Sequence, residues 1–180
     1  MKNAGYMIRL SLTLLVIAGL VALALAGVNS VTAPMIAKLN EQKTQQAIEA
    51  VLPGGGEELE SFSDDTGMVM AVYASENGYA VKVAPQGFGG AIQMMVGVDK
   101  DGKVLGISII SQTETAGLGA DIAAKTQKGE QFRGQFMGQS GTLSVDKDGG
   151  AIDSLTSATI SSRAVTVGVN AALACVEKLG

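Results

Sequence analysis

Residues 69–84 read VMAVYASENGYAVKVA, and this stretch decides the class of the domain. Two apolar-rich runs, Val69–Ala74 and Tyr79–Ala84, flank Glu76-Asn77-Gly78. Asn-Gly tolerates the positive φ angles of a tight hairpin turn, so the runs are expected to pair as antiparallel strands. Toward the C-terminus, Ile92, Met94, Val96 and Val98 alternate with Ala91, Gln93, Met95 and Gly97, the period of two of a strand. The turn Asp99-Lys100-Asp101-Gly102-Lys103 leads into Val104–Ile110, where Leu105, Ile107 and Ile109 are expected on one face. The Asp-x-Asp-Gly piece lacks the later ligands of an EF-hand loop and reads as a plain hairpin.

Farther out the periodicity changes. Residues 120–137 carry helical spacing, and Phe132 and Phe136, four apart, read as core. Leu143 and Val145 suggest one more short strand before Asp148-Gly149-Gly150. Ile160–Leu179 is free of proline and reads as a helix, with Val165, Val169, Ala172 and Val176 on one stripe. Ala164, Gly168, Ala171 and Cys175 form a small-residue stripe beside it, with Cys175 read as a small buried side chain.

On the N-terminal side, Leu10–Val28 (LSLTLLVIAGLVALALAGV) is uncharged and mostly apolar. As a helix it would span about 28 Å, close to the roughly 30 Å hydrocarbon core of a bilayer. Ala24-Leu25-Ala26 also resembles a signal-peptidase site, but the apolar run exceeds a usual signal-peptide core, so a retained anchor is expected. Lys2 and Arg9 precede the run, and no charge follows it until Lys38. The positive-inside rule then places the N-terminus in the cytoplasm and the rest of the chain on the extracytoplasmic side. A second helix is expected to start at Pro34, capped by Thr32, and to stop at Pro53-Gly54-Gly55-Gly56. Its apolar positions Ile36, Leu39, Ala47, Ile48, Val51 and Leu52 would pack either on the domain itself or on a partner subunit.

A strand-rich middle with helices at both ends predicts an α+β fold: an antiparallel sheet with flanking helices, on a single N-terminal transmembrane helix. The expected regions are 1–28, N-terminus and anchor; 29–56, juxtamembrane helix and hinge; and 57–180, the extracytoplasmic domain.

Composition narrows the chemistry. The 180 residues include no histidine, no tryptophan and one cysteine, with 24 glycines and a net charge of −4. Histidine-dependent nucleophile pairs, histidine-ligated metals and imidazole proton shuttles are excluded. One cysteine makes no internal disulfide, CxxC pair or iron–sulfur ligand set. The acidic balance without a basic cluster argues against nucleic acid as a partner. Demanding chemistry would therefore come from a bound cofactor; no catalytic residue or metal ligand is assigned.

Two segments stand apart from core and turn sequence. Glu114-Thr115-Ala116-Gly117-Leu118-Gly119 follows a strand, and its glycines would let backbone N–H groups approach a ligand. It reads equally as a Gly-rich connection. Asp153-Ser154-Leu155-Thr156-Ser157-Ala158-Thr159-Ile160-Ser161-Ser162-Arg163 places an acid, several hydroxyls and an arginine at a helix start. That combination suits a phosphate or another anion, or else simple capping of the helix by a hydroxyl.

The stretch Asp153–Thr159 (DSLTSAT) resembles the flavinylation motif of the FMN-binding domain family, Asp-x-x-[Ser/Thr]-[Gly/Ser]-Ala-[Thr/Ser]. Glu114–Gly119 (ETAGLG) is similar to that family's ETPGLG segment, with Ala116 in the proline position. Ser157 stands where glycine is commonest. The anchor, the Pro-started helix ending in LPGG and the GVDKDGK hairpin follow the family's order, and the resemblance is greatest to the G subunits of Rnf ion-translocating electron-transport complexes.

The resemblance implies covalent FMN, attached through its phosphate to Thr159 by a flavin transferase that uses FAD. It further implies cofactor contacts from Ser157, Thr156, Asp153, Ser161, Glu114, Thr115, Gly117, Leu118 and Gly119, with Asp153 serving transferase recognition. Implied partners are the membrane and iron–sulfur components of an Rnf complex, its A, B, C, D and E subunits. The function implied is an electron carrier in a complex that couples ferredoxin:NAD⁺ electron transfer to Na⁺ or H⁺ translocation, rather than a free-standing enzyme. Alternatives are an FMN subunit of another membrane reductase, like the C subunit of the Na⁺-translocating NADH:quinone reductase, and a flavin-free tethered scaffold.

Overall fold

The computed structural model describes residues 2–179. Met1, Gly180 and the side chain of Lys2, one of the two cations that orient the anchor, lie outside that description. The chain divides into two compact units, Met1–Gln42 and Lys43–Gly180.

The first unit is helical. Helix α1 (Lys2–Val51) begins in it, and large apolar side chains from Tyr6 to Leu39 are exposed along it. The helix is long and apolar enough to cross a membrane. The expected break before Pro34 does not occur, and Pro34 lies inside one continuous helix. Thr32 is not a cap: its hydroxyl donates to Val28 O at 2.6 Å, and Ser30 Oγ donates to Gly27 O at 2.8 Å. Proline fits a helical φ and removes a single N–H, while an apolar environment penalises any larger loss of backbone hydrogen bonds.

The second unit is α+β. Its sheet is an antiparallel meander in chain order: β1 (Glu57–Glu58), β2 (Val69–Ser75), β3 (Gly78–Val83), β4 (Gln93–Val98) and β5 (Val104–Ser111). The Asn77-Gly78 hairpin forms as expected, with Ser75 opposite Gly78 and Tyr73 opposite Ala80. On one face Val72, Val81, Met94, Val96 and Val98 are fully buried. Against that face pack Phe132, Phe136 and the stripe Val165, Val169, Ala172 and Val176. On the other, the end of α1 buries Ala47, Ile48, Val51 and Leu52 against Ala80, Met95 and Ile110. Met95 is therefore fully buried although it alternates with the main core face; Ile36 and Leu39, earlier on the same helix, are exposed.

Three expectations for the sheet and its flanks need correction. Leu105 is exposed and takes no part in the face formed by Ile107 and Ile109. Val98 pairs with Val104 and Gly97 with Gly106, so Leu105 is the extra residue of a bulge and is turned off the face. Residues 120–137 form no single helix but a 3-10 turn, Gly119–Ile122, and a two-turn helix α2 (Gln127–Gly134). Thr126 restarts the chain by accepting Gly129 N at 3.3 Å. Leu143–Val145 is not a strand. Asn170 satisfies both backbone groups of Leu143, at 2.9 and 2.8 Å, in place of a ladder, and Val145 makes only an isolated bridge to Ile152. Strand β1 carried no apolar signal and was not expected.

The C-terminal helix α3 (Thr159–Glu177) crosses the sheet with its core stripe inward. It too is long and apolar enough to cross a membrane, but it is the buried helix of this domain. Cys175 is free and buried, and burial pushes its thiol pKa up.

Candidate functional site

The loop after β5 and the start of α3 meet at a cavity of about 370 Å³. Glu114 joins the two. Glu114 is only 8% exposed; its Oε1 accepts Gly89 N at 2.8 Å and its Oε2 accepts the Ser161 hydroxyl. Gln112 Oε1 accepts Glu114 N at 2.6 Å and holds the turn. Gly119 passes directly over the pair: a Cβ there would lie 2.3 Å from Ser161 Oγ and 2.6 Å from Glu114 Oε2. Only glycine allows that approach.

The segment before α3 is tied down at Asp153, Ser154 and Leu155. Gln135 clamps the backbone of Asp153, accepting its N–H at 2.7 Å and donating to its carbonyl at 3.1 Å. Ser154 N donates to Asp146 Oδ1 at 3.0 Å, and hydrogen bonding by Ser154 holds the Asp146 carboxyl well below the usual carboxylate range. Ser162 Oγ accepts Leu155 N at 3.0 Å and donates to Ala158 O at 3.1 Å, closing the loop onto the helix.

Ser157 has φ = 63°, the one non-glycine positive φ among the described residues. This left-handed residue turns the chain into α3 and leaves Ala158 as the N-cap, with no side-chain cap bond. Capping by a hydroxyl is therefore not what the serine- and threonine-rich stretch does. The start of α3 thus carries no side-chain cap, and Ala158–Ser161 line the cavity, where the helix dipole favours negative charge. Thr159 is the first helical residue, half-buried on the cavity wall.

Of the residues expected at a cofactor, Thr159, Ser157, Ser161, Glu114, Thr115, Leu118 and Gly119 line this cavity. Gly117 does not; at φ = 75° it shapes the turn of the same loop. Asp153 and Thr156 are exposed and line a separate concavity with Lys128 and Gln135. Arg163, expected as an anion donor, is also elsewhere. It forms a forked pair with Asp148 (Nε–Oδ2 2.7 Å, Nη2–Oδ1 2.5 Å), and its guanidinium lowers the Asp148 pKa.

Phe88, which belongs to neither motif, lines the cavity from the β3–β4 connection. The available signal was a lone aromatic within Gly87-Phe88-Gly89-Gly90. Ala158 and Ile160, inside the recognised motif, complete the lining. The cavity thus combines exposed apolar side chains, Phe88, Leu118 and Ile160, with an uncapped helix N-terminus. A planar apolar ring system bearing a phosphate fits both features, and the volume is within the usual range of ligand pockets.

The sequence is similar to those of known proteins. Residues 87–174 match the FMN-binding domain. The chain is 33% identical to the G subunit of the Na⁺-translocating ferredoxin:NAD⁺ oxidoreductase complex of Acetobacterium woodii, over 95% of this chain and 92% of that one. It is 42% identical to the G subunit of the proton-translocating ferredoxin:NAD⁺ oxidoreductase complex of Clostridium ljungdahlii, over 56% of this chain and 57% of the relative. It is 41% identical to the G subunit of the ion-translocating oxidoreductase complex of Pseudomonas aeruginosa, over 50% and 44%. In the last two the match spans about half of the relative's length.

Proposed function

The chain belongs to the family of G subunits of ion-translocating (Rnf-type) oxidoreductase complexes, and from that premise we propose that it is a membrane-anchored electron carrier with FMN held covalently on Thr159. The observation that carries the covalent assignment is the position of Thr159 at the uncapped start of α3, on the wall of the cavity. When bound, FMN supplies one- and two-electron transfer without any protein histidine or cysteine. The chain's own residues bind and orient it. The N–H groups at the start of α3 hold the remaining negative charge of the phosphodiester. Leu118 and Ile160 offer apolar surface to the ring. Glu114, through Ser161 and Gly89, keeps the loops in register.

Attachment joins the Thr159 hydroxyl oxygen to the FMN phosphorus of FAD; the hydroxyl proton is lost and AMP leaves. A flavin transferase performs that step, with Asp153 among the residues it reads. The N-terminus lies in the cytoplasm and the domain outside, where a tether keeps the flavin from being lost. The carrier works beside the membrane and iron–sulfur components of the complex, the A to E subunits, whose overall reaction couples ferredoxin:NAD⁺ electron transfer to Na⁺ or H⁺ movement. The anchor has no charged residue from Leu10 to Val28, which agrees with an anchoring role rather than an ion path.

Intact mass of the protein purified from its own membrane tests the reading. A gain of one FMN less one water, mapped to the Thr159 peptide and absent in Thr159→Ala, is expected. An unmodified peptide from cells that possess the transferase overturns it. Co-purification with polytopic subunits and an iron–sulfur protein separates the Rnf assignment from a lone reductase.

A further inference from the structure

One wall of the cavity comes from outside both recognised motifs. The chain has four phenylalanines: Phe132 and Phe136 are buried in the core, Phe62 packs against it half-buried, and Phe88 is 69% exposed. An exposed aromatic ring forgoes the stabilisation of burial. Its neighbours along the cavity, Leu118 at 42% and Ile160 at 50%, are exposed as well.

The loop carrying Phe88 is tightly bound. Gly87 N donates to Gly90 O at 2.8 Å, Gly89 N to Glu114 Oε1 at 2.8 Å, and Thr113 Oγ1 to Gly89 O at 3.0 Å. A Cβ on Gly89 would lie 2.2 Å from Thr113 O, and one on Gly87 would lie 2.5 Å from Glu114 Oε1. The loop is pressed onto residues 113–114 so closely that only glycine fits beside Phe88. The one bulky side chain of residues 87–90 is therefore carried on a fixed backbone at the cavity edge.

We propose that Phe88 is a cofactor-contact residue: its ring packs against the flavin ring and shields it from water, with Glu114 as the positioning residue that holds its loop. The inference rests on the FMN reading above. A flavin offers broad planar faces, and aromatic rings gain from packing on such faces beyond the area they bury.

Full-length protein carrying FMN, as wild type, Phe88→Trp and Phe88→Ala, tests this. An excited flavin oxidises an indole in van der Waals contact but not a phenyl ring, and the chain has no tryptophan of its own. The F88W substitution should lower the emission of bound FMN severalfold and shorten its lifetime. In F88A the emission should become more accessible to iodide. Unchanged emission and lifetime in F88W, together with wild-type iodide quenching in F88A, overturn the proposal when intact mass shows FMN on each chain. A wild-type chain without the FMN mass overturns the preceding reading instead.

Discussion

The Ser161 hydroxyl hydrogen-bonds Glu114 Oε2 across 47 residues of chain, joining the first turn of α3 to the loop after β5. Both side chains are buried, and the other Glu114 oxygen holds Gly89. One carboxylate thus connects the three segments around the cavity.

Replacing Glu114 by Ala leaves the Ser161 hydroxyl and Gly89 N–H without their acceptor, at an expected cost of about 2–3 kcal/mol. Gly119→Ala drives a methyl into the same pair and should cost about 1–3 kcal/mol. Because both changes break one contact, the double variant should lose less than their sum. Denaturant midpoints of the four proteins check this; simple additivity would mean that the two sites are independent.

Thr159 is half-buried at a helix start and outside the core cluster, so Thr159→Ala should shift stability by less than about 0.5 kcal/mol while abolishing FMN attachment. Thr159→Ser keeps a hydroxyl at the same place and should keep the FMN mass. Loss of FMN in the serine variant would show that attachment depends on more than the hydroxyl.

Ser157 sits at φ = 63°, a conformation that side-chain-bearing residues occupy at a cost. Ser157→Gly should stabilise the domain by about 1 kcal/mol, and Ser157→Val should destabilise it. A thermal melt of the full chain in detergent reads both; a lower Tm for the glycine variant would contradict the strained turn.

Hydrogen bonding by Ser154 depresses the Asp146 pKa below its ordinary 3.8. A carboxylate with a lowered folded pKa contributes stability that is complete above the unfolded value and is lost as pH falls through the folded one. Asp146→Asn should therefore lower Tm at pH 7, and the gap to wild type should narrow as pH drops below 3.8. A gap independent of pH would assign the effect to shape rather than charge.

Gln135 holds the Asp153 backbone by two hydrogen bonds, while Asp153 itself is exposed and outside the cavity. Gln135→Ala should cost about 1–2 kcal/mol and open residues 153–157 to proteolysis. Asp153→Asn should leave Tm unchanged but reduce FMN loading in cells containing the transferase. Equal loading by intact mass would remove Asp153 from recognition.

The amino-acid order alone carried what depends on neighbours in the chain. Asn77-Gly78 specifies its hairpin through local φ angles, the alternation from Ile92 to Val98 specifies a strand, and Leu10–Val28 specifies an apolar helix. Through their resemblance to a known family, the DSLTSAT and ETAGLG motifs imply a flavin site, but nothing in either shows that the two segments meet. What depends on the other side of a contact was not legible. Alternation sets Met95 opposite Met94 without showing what covers that face, which is the end of α1, and Leu105 leaves its expected face because a bulge shifts the register. Pro34 reads locally as a helix start, yet the helix runs through it. The site shows the same division. Whether a hydroxyl caps α3 was decided by the left-handed Ser157. The gathering of Phe88, Glu114 and Thr159 around one cavity was decided by a buried carboxylate that reaches 47 residues along the chain. Side-chain type and spacing encode the elements, because their dihedral preferences and periodicities are local. Packing alone selects which distant polar group satisfies which, because burying either one unpaired costs more than bringing the two together.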